Sequence, residues 1–127
     1  MPLRDPQAVL HEMLDVAKKA RWVFEQHRRE DLDDDWESAF ALRLALQILG
    51  EAAGRIPKSI QDENPKLPWN EVVGLRHVLV HGYDAVDLDI LWKIAEKDLP
   101  PLLEGLEELL TKLGQEERPE PPWNDKV

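Results

Sequence analysis

Residues 40–56 read Phe40-Ala41-Leu42-Arg43-Leu44-Ala45-Leu46-Gln47-Ile48-Leu49-Gly50-Glu51-Ala52-Ala53-Gly54-Arg55-Ile56, and their pattern decides the fold. Leu42, Ala45, Leu46, Leu49, Ala52, Ala53 and Ile56 recur at the three- and four-residue spacing that lines one side of a helix. Phe40, Leu44 and Ile48 form a second apolar stripe on the same helix. A helix that is apolar on two sides is either central in its bundle or shared between the bundle core and a subunit interface. The chain has 127 residues, the size of one domain. In so small a protein the interface reading gains weight, and a homodimer is expected.

Working outward, this helix should run over roughly residues 34–55, stopped by Gly54 and Pro57, with one short turn at Ser59–Asn64. Before it, Asp5-Pro6 pairs a capping side chain with proline in the first helical position. Leu10, Met13, Leu14, Ala17, Ala20 and Phe24 then follow at helical spacing, which predicts a helix over roughly 6–28. The acidic cluster Asp31, Asp33, Asp34 and Asp35 reads as a solvated loop and as negative charge at the next helix's positive dipole end. After it, Pro65 and Pro68 bracket a connection to a third helix, Trp69 to about Val80, with Gly82 as its stop. Asp87 can cap the last helix, whose stripe runs from Leu88 and Leu91 through Leu99 and Leu106 to Leu113. The stripe keeps its phase through Pro100-Pro101, so a kinked helix is expected. Residues 115–127, acidic, Pro-rich and without a period, read as a mobile tail. No strand pattern occurs. The expectation is an all-α bundle of four main helices, one domain over 1–114 and a tail over 115–127.

Charge narrows the functions. The chain carries 16 Lys+Arg and 26 Asp+Glu, a net charge of −10. That argues against a general duplex-DNA binder, whose affinity comes from basic residues neutralising phosphates. The acid is unevenly placed: residues 1–35 carry −3, residues 87–127 carry −6, and residues 36–86 carry only −1. An anion-handling site belongs in the nearly neutral middle. The absence of cysteine removes disulfides, thiolate catalysis and Cys-type zinc sites. No uncharged run approaches the roughly 18 residues of a membrane helix. A soluble cytoplasmic protein that does not enter the membrane is the default expectation.

The chemistry concentrates in Leu75-Arg76-His77-Val78-Leu79-Val80-His81-Gly82-Tyr83, which holds two of the four histidines and the single tyrosine. An imidazole can remove a ribose 2′-OH proton, a protonated group can assist the leaving oxygen, and a guanidinium can stabilise charge on the phosphorane-like intermediate. No metal is needed when the nucleophile belongs to the substrate. Arg76 and His81 are about 140° apart on an ideal helix, so they converge only if the helix end frays or a second copy joins the site. His77 and His81 share a face. A dimer would therefore assemble a cleft with two Arg and up to four His. Duller readings stand beside this one: Arg76 as an ion-pair partner of Glu51 or Asp84, His77 as a surface residue, Tyr83 as a half-buried helix-end aromatic. A two-His metal half-site at His77 and His81 lacks the Glu beside the first His and a third ligand. Neither a metal nor a cofactor is expected.

Arg76-His77-Val78-Leu79-Val80-His81 resembles the signature of the HEPN superfamily: Arg, a polar residue, three further residues, then His. His81-Gly82-Tyr83 is similar to the His-x-Tyr form of its HepT-like branch. Leu49-Gly50-Glu51-Ala52-Ala53, Pro68-Trp69, Trp92 and Asp98-Leu99-Pro100 add to the likeness, which spans most of residues 6–113. The resemblance implies a HEPN-type bundle and the toxin of a toxin–antitoxin pair. It further implies a metal-independent endoribonuclease whose cleft lies at a homodimer interface. The partners would be RNA and an MntA-type nucleotidyltransferase antitoxin that transfers AMP from ATP to the motif tyrosine. By position, Arg76 and His81 would be catalytic, His77 auxiliary, Tyr83 the AMPylated residue, and Glu51 a supporting polar group. The family most often has Asn where this chain has His77. An alternative of another class is a non-catalytic helical module that binds a nucleotidyltransferase and positions its substrate; a second is a structural dimeric bundle without a ligand.

Overall fold

Asp5 opens the first helix as its sequence context requires: its side chain accepts a hydrogen bond from the Gln7 amide (3.1 Å), with Pro6 in the first turn. The computed structural model describes residues 5–81 and 88–114, excluding the side chains of Arg76, Val78, Val80 and His81. Among the described residues seven helical segments follow one another: α1 (Pro6–Gln26), α2 (Asp31–Asp34), α3 (Trp36–Gly54), α4 (Lys58–Glu63), α5 (Trp69–His81), α6 (Leu88–Lys97) and α7 (Leu99–Gly114). No strand occurs among the described residues. The expected stop at Gly82, the cap at Asp87 and the tail over 115–127 lie outside the described residues.

Five of these segments make the four rods of the bundle: α1, α3, α5 and the bent rod of α6 and α7. The bend is at Asp98, between the two segments. Pro100 and Pro101 lack the amide hydrogens that would continue the ladder, so the hydrogen bonds of the break fall on Asp98 itself. Its amide donates to Ile94 (2.8 Å) and its carbonyl accepts from the Leu102 amide (3.3 Å). The apolar phase survives, because Leu91 and Ala95 before the bend and Leu99, Leu102, Leu103 and Leu106 after it are all buried. The sequence expectation of one kinked helix therefore holds.

The acidic cluster differs from its reading as a loop. Asp31–Asp34 closes into the short helix α2, because Leu32 is buried and pulls the segment onto the core. Asp35 then caps α3, accepting from the amides of Glu37 (3.1 Å) and Ser38 (3.3 Å). The Ser38 hydroxyl returns a bond to the Asp35 carbonyl (2.9 Å).

Helix α3 is central, packed against α1 on one flank and α5 on the other. Leu42, Leu46, Leu49 and Ala53 bury its inner stripe among Leu10, Met13 and Ala17 of α1, Leu75 and Leu79 of α5, and Leu106 of α7. Full burial of each such leucine is worth about 1.5–3 kcal/mol. Tilted rings of Phe24 and Trp92, with centroids 4.3 Å apart, join α1 to α6. Among the described residues no helix is long and apolar enough to cross a membrane.

Candidate active site

The motif sits on α5, and the fold holds the start of this helix firmly. Trp69 is buried at its first turn, and its indole N–H donates to the Asn64 carbonyl (2.9 Å). Gln61 ties the preceding turn to the end of α3 by donating to the carbonyls of Ala53 (3.3 Å) and Ile56 (3.0 Å). Val72, Leu75 and Leu79 then bury one side of α5 at helical spacing, leaving Val73 and His77 exposed. The helix continues to His81, one residue beyond the expected end at Val80, so the backbone from Arg76 to His81 is helical throughout. Arg76, His77 and His81 thus share one element. Tyr83 lies outside the described residues, and so does Asp84, one of the ion-pair partners considered for Arg76.

Helix α3 supplies the wall beside the motif. Glu51 is half-buried on it, so this carboxylate and the motif occupy two helices packed directly on each other. A residue that the sequence reading passed over lies closer to the end of the motif. The half-buried Arg43 donates from its guanidinium to the Leu79 carbonyl (3.2 Å) in the last turn of α5. Its signal in the sequence is slight: a single cation set between the two apolar stripes of α3.

The outer stripe of α3 flanks this contact. Phe40 is 62% exposed and Leu44 57%, with Ile48 half-buried further along. Trp36, 65% exposed, extends the stripe by a turn and meets Phe40 edge to face, ring centroids 5.5 Å apart. In a single chain α3 is therefore both central in the bundle and bare along its back. Trp36, Phe40 and Leu44 thus leave large apolar side chains exposed in register on one face of α3.

Electrostatics away from the motif fix its neighbours. Arg29 donates to Asp89 (2.6 Å) and to Asp33 (3.3 Å), tying the α1–α2 turn to the first turn of α6. The Asp89 hydrogen bond is the chief reason the Arg29 pKa is raised, with the charges of Asp33 and Asp89 adding to it and desolvation opposing. Asp98, at the bend, has its pKa raised, first by burial and then by the charge of Glu71 on α5, with Lys97 partly opposing. Among the described residues no three His, Asp or Glu side chains are grouped to hold a metal ion.

Comparison with known proteins agrees with this arrangement. The family model for HepT-like ribonucleases matches residues 13–109, from within α1 to within α7, and includes the whole motif. A protein of Methanocaldococcus jannaschii that bears an RNase name is 32% identical over 107 residues, 84% of this chain and 98% of its own. A protein of Thermococcus cleftensis named as a probable ribonuclease HepT is 36% identical over 98 residues, 75% of this chain and 89% of its own. No solved structure matches the chain. An all-helical bundle with the Arg76–His81 motif on a helix buried along one side, matched over most of its length by that model, belongs to the HepT-like ribonuclease family, and its enzyme class is endoribonuclease.

Proposed function

We propose that this ribonuclease is the toxin of a toxin–antitoxin pair, acting in the cytoplasm without a metal or cofactor, with its cleft completed by a second copy. Arg76 stabilises charge on the phosphate, and His81 moves the proton between the ribose 2′-OH and the leaving oxygen. His77 and Glu51 assist from α5 and α3. The observation that carries the reading is the bare stripe Phe40–Leu44 beside Arg43, whose guanidinium reaches the last turn of the motif helix. A two-fold contact over that stripe would bring two motif helices together and offset the poor facing of Arg76 and His81 within one helix.

Silencing follows from the same place. An MntA-type nucleotidyltransferase antitoxin would transfer AMP from ATP to Tyr83, two residues from His81. The added phosphate and nucleoside would occupy and repel the groove that takes RNA phosphates. The test is cleavage of RNA by the purified protein in EDTA, wild type against His81→Ala. The reading expects cleavage by the first and none by the second. An inactive wild type that still binds the nucleotidyltransferase would favour the adaptor reading, and activity lost on chelation would restore a metal.

A further inference from the structure

We infer that Arg43 is a positioning residue for the ribonuclease site, holding the last turn of the motif helix in place; this rests on the reading of Arg76 and His81 as the reacting residues. The last four carbonyls of a helix have no partner within it, and helix ends fray for that reason. The Leu79 carbonyl lies in the last described turn of α5, and Arg43 of α3 donates to it at 3.2 Å. Leu79 stands three residues after Arg76 and two before His81, so both motif residues lie within one turn of the held carbonyl.

The brace is well anchored at its other end. Arg43 directly follows Leu42 and precedes Leu46 by three, and both of these are fully buried in the core. The donor is charged, half-buried, and placed at the negative end of the α5 dipole, where a cation is favoured. Among the described residues Arg43 makes no ion pair, and its guanidinium is directed at the Leu79 carbonyl. In the cleft a loosened last turn would misplace His81 against the 2′-OH, and misplacement of about 1 Å can cost on the order of 100-fold in rate.

The experiment compares wild type, Arg43→Ala and Arg43→Lys in steady-state RNA cleavage with EDTA, alongside amide hydrogen exchange of each protein without RNA. In Arg43→Ala the expected kcat is about 10- to 100-fold lower with KM nearly unchanged, because geometry and not ground-state binding is lost. Arg43→Lys, which keeps a charged donor, recovers part of kcat. Exchange at the amides of Leu79, Val80 and His81 speeds by about tenfold or more in Arg43→Ala, while Val72–Leu75 and α1 keep their protection. A raised KM with unchanged kcat would instead make Arg43 an RNA contact and overturn the inference. Exchange that rises throughout α3 and α5 would overturn it in favour of a general structural role, and unchanged exchange at the last turn would overturn it outright. A wild type that cleaves no RNA contradicts the ribonuclease reading alone, and the exchange result then decides whether Arg43 holds the helix end.

Discussion

Tyr83 is the chain's single tyrosine, so its modification can be read from intact mass. Tyr83→Phe is expected to keep RNA cleavage near the wild-type rate and to lose AMP labelling by the nucleotidyltransferase; unchanged labelling would remove Tyr83 from the account. Asp98 gives a residue-scale prediction of a different kind. Its pKa is raised in the fold, chiefly by burial, so the folded chain keeps this proton to higher pH than the unfolded chain does. Asp98 therefore lowers stability as pH rises above the ordinary aspartate range, and has no such effect below that range. Asp98→Asn should raise Tm at pH 7, and the gain should vanish when melting is repeated near pH 3. At this scale the sequence offers its clearest candidates where residue type itself suggests chemistry, as at Arg76, His81 and Tyr83. It was silent where the partner is backbone: a carbonyl at Leu79 leaves no residue type to read, so Arg43 was not singled out.

Among the elements, helix ends were legible to within a residue or two because capping side chains start them and a glycine stops one. Asp5 and Pro6 start α1, and Gly54 ends α3. The turn α2 was not legible, since aspartates are poor helix formers and only the burial of Leu32 draws them into one. Asp35→Ala removes the α3 cap and should cost about 1 kcal/mol in denaturant unfolding. Helix α7 carries a tighter constraint at Gly105, where an added Cβ would run into the side chain of Leu67. Alanine there gains up to about 1 kcal/mol in helix propensity. Overpacking against a buried leucine costs about 1–3 kcal/mol, so Gly105→Ala should be destabilising overall. A stabilised variant would show that Leu67 moves aside freely.

For the whole molecule, the decisive feature is that α3 has three distinct faces. Its inner stripe fills the core, Arg43 reaches the end of the motif helix, and Trp36, Phe40 and Leu44 face outward. The two stripes were readable in the sequence as alternatives, a central helix or an interface helix, and the structure places the helix at the centre with its outer stripe bare. Trp36 was missed as the start of that stripe because it adjoins the acidic cluster. Phe40→Glu with Leu44→Glu should leave helical content and melting nearly unchanged, convert a dimer to a monomer in sedimentation, and lower RNA cleavage by about 100-fold or more. A double variant that remains dimeric and active would place the second copy elsewhere. The net charge of −10 belongs at this scale too: with acid concentrated at both ends of the chain, RNA binding should be weak and salt-sensitive and should depend on Arg76 rather than on a broad basic surface.

The central claim is that the substrate's own 2′-OH is the nucleophile and that Arg76 and His81 act on it without a metal. It is tested most directly by incubating the protein, in EDTA, with an RNA and with the same strand carrying a 2′-deoxy sugar at the cleaved position. The account predicts cleavage of the first, leaving a 2′,3′-cyclic phosphate, and an intact second strand. Cleavage of the deoxy strand, or cleavage only when a divalent metal is restored, would contradict it.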